Sequence, residues 1–274
     1  MTEKTVLITG ATSGIGLLTA RELASLGARV IITGRDGRRG DRAAVELRSF
    51  ARHDRVHFVC CEGVTLAHHR ELAETVAKRF PRLDVLINHV EVSYGQRWET
   101  EDGHEATLAM NLLGPHALTL ALLPLLEQSA PSRIINVTSG AFGTIMRDPF
   151  DDIHAKRHYD GHEVSARSKM LRVLWTFALA RKLEPRGVMV NAADSDLTWH
   201  AASKTSVFLA SSDDPAHVTG SYFEDPTKRA HTTMRTLDLE DQERAWDLCA
   251  TLTAQRTTPR GAPHGGGTAK SSWM

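Results

Sequence analysis

Val6-Leu7-Ile8-Thr9-Gly10-Ala11-Thr12-Ser13-Gly14-Ile15-Gly16 passes from three bulky apolar residues into glycines at 10, 14 and 16, and helical apolar spacing follows over Leu17–Leu26. The apolar trio predicts a strand and the spacing after it a helix. Glycines at such a junction let the backbone turn tightly and approach a pyrophosphate, whose charge meets the amides and dipole of the helix N-terminus. A glycine pattern alone is weak. Between a strand and a helix it points to a dinucleotide, with Gly10, Thr12, Ser13, Gly14, Ile15 and Gly16 as the expected contacts.

The same alternation continues along the chain. Short apolar runs at Val30-Ile31-Ile32, Val56-His57-Phe58-Val59, Val85-Leu86-Ile87, Ile134-Ile135-Asn136-Val137 and Val188-Met189-Val190 predict strands. Helical spacing over Gly103–Glu127 and Ser165–Leu183 fills two of the intervals. Strands that are apolar throughout, joined by helical crossovers, form a parallel sheet covered on both faces. The expected fold is therefore α/β, a single doubly wound Rossmann-type sheet over residues 1–255. The Gly-, Pro-, Ser- and Thr-rich stretch 256–274 is expected to be a disordered tail.

Lys plus Arg and Asp plus Glu both number 33 in 274 residues, so no net field favours nucleic acid or an anionic membrane. A small-molecule substrate is the expected partner. No apolar run is read as reaching the roughly 20 residues of a membrane span. Three cysteines, Cys60, Cys61 and Cys249, have neither disulfide nor metal-ligand spacing, which fits a reducing cytoplasm. The histidines are scattered, and no metal site is expected.

After the second strand comes Thr33-Gly34-Arg35. An NAD-selective fold usually carries an acidic residue there for the ribose hydroxyl, whereas Arg35 suits a 2′-phosphate, so NADP(H) is the expected cofactor.

These residues resemble the short-chain dehydrogenase/reductase family, and more narrowly its retinol-dehydrogenase-like, NADP-preferring branch. The likeness continues through Leu83–Asn88, Asn111-Leu112-Leu113-Gly114-Pro115-His116, Arg133–Ser139, Ser168-Lys169, Thr219–Phe223 and Ala245-Trp246. It implies a nicotinamide cofactor touched by Asn88 and Lys169, with Glu62 in the place of the family's adenine-contacting aspartate. It also implies that Ser139 polarises a substrate oxygen, that Lys169 grips the nicotinamide ribose and that Asn111 anchors a proton-relay water. The long helices Gly103–Glu127 and Ser165–Leu183 could pair in a homodimer, although core packing would produce the same pattern.

The family's catalytic tyrosine does not carry over. Four residues before Lys169 stands Ser165, whose hydroxyl is far less acidic than a phenol. Tyr159 lies six residues earlier and reads as structural. The family's Asn-Asn-Ala-Gly turn is Asn88-His89-Val90-Glu91, which brings an imidazole and a carboxylate toward the nicotinamide ribose. Asp194 and Asp196 follow the sixth strand, where relatives have Pro-Gly. Only nine residues separate Asp196 from the helical run Ser206–Ala210, so the usual lid appears deleted from the sequence.

Three functions are compatible with these residues. The first is NADP(H)-dependent carbonyl reduction or alcohol oxidation on a small biosynthetic intermediate. The second is non-redox acid/base chemistry, a cyclase, dehydratase or isomerase, using Glu91, Asp194, Asp196 or His89. The third is non-catalytic cofactor binding.

Overall fold

The computed structural model describes residues 1–254 apart from 146, 197, 215–216, 227 and 230–232, so the expected tail lies outside the described residues. In chain order the elements begin β1 (Thr5–Ile8), α1 (Gly14–Ser25), β2 (Arg29–Gly34), α2 (Gly37–Ala51), β3 (Val56–Cys60), α3 (Leu66–Arg79) and β4 (Val85–Asn88). There follow α4 (Ala106–Leu108), a π-turn (Ala109–Leu113), α5 (Gly114–Gln128), β5 (Ser132–Thr138), α6 (Gly161–Leu183) and β6 (Val188–Asp194). The chain then forms α7 (Trp199–Ser211), β7 (Tyr222–Asp225), β8 (Lys228–Arg229) and α8 (Leu239–Ala254).

The strands form one sheet in the order β3-β2-β1-β4-β5-β6-β7-β8, parallel except for β8. The order reverses direction at β1, so the crevice beyond the carboxyl ends of β1 and β4 is where such a sheet binds ligands. Every residue of β1 and β4 is buried, which is why these strands read as unbroken apolar runs. Leu23, Ala24, Leu47 and Leu209 from α1, α2 and α7 cover one face, and Leu72, Leu118, Trp175 and Cys249 from α3, α5, α6 and α8 cover the other. Each fully buried Leu contributes about 1.5–3 kcal/mol of transfer free energy. This is the expected Rossmann-type architecture.

Four expectations need correction. The helix expected over Gly103–Glu127 is divided, because the backbone widens into the π-turn at Ala109–Leu113 before α5 begins. The final strands β7 and β8 escape pattern reading because they are only 4 and 2 residues long. The helix expected at Ser206 begins at Trp199, so β6 passes into α7 almost directly. Finally, Ala106–Gln128 is long and apolar enough to cross a membrane, contrary to the sequence reading, but 72% of its most apolar window is buried inside the protein. It is a core helix. The apolar surface that suggested a dimer is also used within the chain, where α5 packs on α3 and α6 on α8.

Candidate active site

The crevice has two ends. At the β1–α1 end, Gly10 and Gly14 have φ of +68° and +58°, conformations that side-chain-bearing residues rarely adopt. A Cβ at Gly14 would meet nothing within 4 Å, which leaves room above the turn. A Cβ at Gly16 would stand 3.0 Å from the Gly10 carbonyl oxygen, so glycine there permits close packing of helix on strand. No side chain caps the first turn of α1 and no acidic residue lies in it, so the helix keeps its N-terminal amides and positive dipole for an anion. Ser13 is exposed beside this turn, and Arg35 is exposed just past β2. The glycine turn and the bare helix N-terminus fit the pyrophosphate of a nicotinamide dinucleotide. Glu62 is exposed beyond β3, with Oε2 4.0 Å from His68 Nε2.

At the other end, β5 delivers Ser139 and α6 delivers Lys169. The Lys169 ammonium donates to Ser139 Oγ at 2.8 Å and lies 2.6 Å from Glu91 Oε1. Ser139, Lys169 and Glu91 thus form one chain of contacts. The Lys169 and Glu91 side chains retain 13% and 24% exposure, so the chain reaches solvent.

Other expected site residues have different placements. Asn88 is fully buried, and its amide nitrogen donates to Thr119 and Asn136 beneath the crevice, so this side chain serves the core. Asn111 Oδ1 accepts from the Val92 amide, while its Nδ2 donates to Val92 O and Ser168 Oγ. Both amide hydrogens are therefore committed to holding the loop after β4 against α6. His89 does not line the crevice as a free imidazole. Its Nε2 is enclosed without a partner, its Nδ1 lies beside α1, 3.4 Å from where a Cβ on Gly16 would be, and burial draws its pKa down to about 4. Ser165 is buried one turn before Lys169 on α6, and Tyr159 donates to Tyr94 O at 2.8 Å, in keeping with a structural role.

Asp194 is buried and accepts a 2.6 Å hydrogen bond from the Tyr222 hydroxyl, whereas Asp196 is exposed. Burial above all pushes the Asp194 carboxyl up from its ordinary value, and the charges of Asp196 and Glu224 add to that effect. The acids border the Ser139 turn, because a Cβ on Gly140 would lie 3.4 Å from Asp196 Oδ2 and 3.5 Å from Asp194 Oδ2.

Two participants escaped the sequence reading. Tyr222 sits on the short strand β7, and Arg172 lies on α6 only 1% exposed, donating to the carbonyls of Asn88 and Val90. A signal for Arg172 was present, since a cation three residues after Lys169 falls on the same helix face.

Residues 4–148 match the model of the short chain dehydrogenase family. The chain belongs to this family. Among relatives of this dehydrogenase, human retinol dehydrogenase 14 is 34% identical over 288 aligned residues, spanning 89% of this chain and 84% of that protein. Mouse polyprenol dehydrogenase is 37% identical over 199 residues, spanning 70% of this chain and 58% of that protein. An uncharacterized protein of Mycobacterium paratuberculosis has a crystal structure that superposes with a TM-score of 0.79 at 28% identity, covering 94% of this chain and 96% of that one. The family is one of oxidoreductases, and this chain shares its fold and its phosphate-end motif.

Proposed function

We propose that the protein is an NADP(H)-dependent oxidoreductase that interconverts a carbonyl compound and an alcohol, with Ser139 and Lys169 performing the polar chemistry in place of a tyrosine. The supporting observation is the 2.8 Å contact from Lys169 Nζ to Ser139 Oγ. Ser139 receives a hydrogen bond from an ammonium, so its own proton is free to point toward a substrate oxygen. The positive charge behind it stabilises the alkoxide as it develops. The bound dinucleotide would supply or take up hydride. Gly10 to Gly16 would seat its pyrophosphate, and Arg35 would select the 2′-phosphate.

The names of the retinol and polyprenol dehydrogenases support an apolar alcohol or aldehyde as the first substrate class to try, beside a small biosynthetic intermediate. The direct link from β6 to α7 supports a cleft open to bulky substrates. We place the chain in the cytoplasm as part of the same reading. Calorimetry with NADP and NADPH, followed by loss of reduced-nicotinamide absorbance with all-trans-retinal and decanal, tests this proposal. Binding and turnover are expected. Ser165→Tyr is expected to raise kcat, within the factor of about 10²–10⁴ that proton transfer typically contributes. Failure to bind either nucleotide at about millimolar concentration, a threshold near 4 kcal/mol of affinity, would sink it.

One observation favours a second reading. Asp194, whose carboxyl burial pushes up from its ordinary value and which accepts a hydrogen bond from Tyr222, is a carboxyl that non-redox acid/base chemistry would use. Product formation with no nucleotide added would move the assignment to it.

A further inference from the structure

The oxidoreductase reading above leaves a question about protons. If Lys169 passes a proton to Ser139 and Ser139 passes one to the substrate, something must return a proton to Lys169. The side chains beneath the site indicate what does so.

Ser165, Lys169, Arg172 and Thr176 follow one another on α6 at helical spacings of four, three and four, so they form a single stripe. Arg172 is buried at the base of this stripe. Its guanidinium donates to Asn88 O and to Val90 O, the latter at 3.0 Å, and so fixes the end of β4 immediately before Glu91. Burial lowers its pKa only to about 10, with the Glu91 charge acting to hold it up, so it stays a cation at neutral pH. Glu91 therefore has Lys169 in contact and the Arg172 charge within electrostatic reach. One of its oxygens meets Lys169 at 2.6 Å, and the other is enclosed without a hydrogen-bond partner.

A carboxylate with an unpartnered buried oxygen is costly. The Lys169 ammonium in contact with it, and the Arg172 charge beyond, offset that cost. Exposure also falls along the chain of contacts, from 24% at the Glu91 side chain to 13% at Lys169 and 1% at Ser139. Of the three side chains, that of Glu91 is the most exposed.

We propose that Glu91 is the port through which solvent protons return to the Lys169–Ser139 pair, and that Arg172 is the positioning residue that holds the backbone carrying Glu91 in place. In the reducing direction an O–H bond forms on the substrate as Ser139 Oγ–H breaks. Ser139 is restored by a proton from Lys169 Nζ, and Lys169 by one that enters from water across Glu91 Oε1. One solvent proton is consumed for each hydride delivered by the reduced dinucleotide, and alcohol oxidation runs the same path backwards. The charged and titratable groups near Lys169 are Glu91, in contact, Arg172 three residues on along α6, and Asp194 and Asp196, which border the turn after Ser139. Of these, Glu91 is the acid in contact with it.

The test is the pH–rate profile of NADPH-dependent reduction of all-trans-retinal and decanal by wild type, Glu91→Gln and Glu91→Asp, with NADPH affinity measured in parallel by calorimetry. Glu91→Gln is expected to lower kcat by about 10²-fold, the lower end for a lost proton-transfer function. Its pH–rate profile is expected to differ from that of wild type, because an amide cannot carry a proton between water and Lys169. NADPH affinity should change by less than about threefold, under 1 kcal/mol. Glu91→Asp should restore part of both the rate and the profile, and it carries the test if the glutamine variant does not fold. A wild-type rate and profile in Glu91→Gln, or turnover in Glu91→Gly above wild type, would overturn the proposal. Absence of wild-type turnover on both aldehydes would overturn the reductase reading and the relay together, whereas turnover with an unmoved Glu91→Gln profile would overturn the relay alone.

Discussion

The phosphate end and the reaction end of the crevice are built differently. At the phosphate end the specificity lies in the backbone: positive-φ glycines, uncapped helix amides and a close helix–strand approach. At the reaction end it lies in side chains, with Glu91, Lys169 and Ser139 reaching one another from three separate segments and Arg172 holding the backbone before Glu91. A backbone device depends on a few local residues and tolerates little change. A side-chain device can be rebuilt one residue at a time, provided each new charge finds a partner. That contrast accounts for a glycine turn that keeps the family pattern beside a reaction end carrying Ser165, Glu91, Asp194 and Asp196.

The sharpest way to break this comparison is Ser139→Ala. It removes the donor that the proposal aims at the substrate oxygen and is expected to lower kcat by about 10²–10³ while leaving nucleotide binding intact. A comparable loss of NADPH affinity in calorimetry would mean that the two ends are not separable. Arg35→Ala addresses the other end. It should weaken NADPH by about 1.5–3 kcal/mol, the usual worth of a hydrogen bond to a charged group, and leave NADH nearly unchanged. Equal losses for the two nucleotides would remove Arg35 from the 2′-phosphate.

Tyr222→Phe strips the hydroxyl from Asp194 and is expected to cost about 1–3 kcal/mol of stability in denaturant titrations, because a buried carboxyl oxygen loses its donor. A neutral outcome would mean that water replaces the hydroxyl and that this edge of the site is wetter than the burial of Asp194 indicates. The smallest effect concerns pH. His116 is buried against Trp175 and Trp246, and burial lowers its pKa to about 4, below its unfolded value. Between those two values the unfolded chain binds the proton and the fold does not, so stability falls as pH drops through that window. From pH 7 to 5.5 this imidazole accounts for about 1 kcal/mol of the loss. Thermal melts of His116→Phe should show a flatter acid dependence by that amount.

Much of the fold was legible because it depends on periodicity. Six strands and the glycine turn stand out as runs of residue type, and the sheet follows from their alternation. The shortest strands, β7 and β8, did not, since 4 and 2 residues carry no period. The break between α4 and α5 was invisible because a π-turn keeps the same apolar composition as the helices on either side. At the site, Lys169 and Ser139 could be read from their motifs. The contact of Lys169 with Glu91 could not, because the two lie far apart in sequence and meet only where the loop after β4 is held against α6. His89 shows the converse: its position in a motif suggested a crevice residue, whereas its ring nitrogen is enclosed beside α1.

Most of α6 is buried, including Leu171, Leu174 and Trp175 between and below its functional residues. The same helix that presents Lys169 and Arg172 is therefore a main beam of the hydrophobic interior, and it cannot shift without loosening that interior. Heating should consequently abolish activity and cooperative structure at one temperature, with no interval in which a folded enzyme has already lost its site.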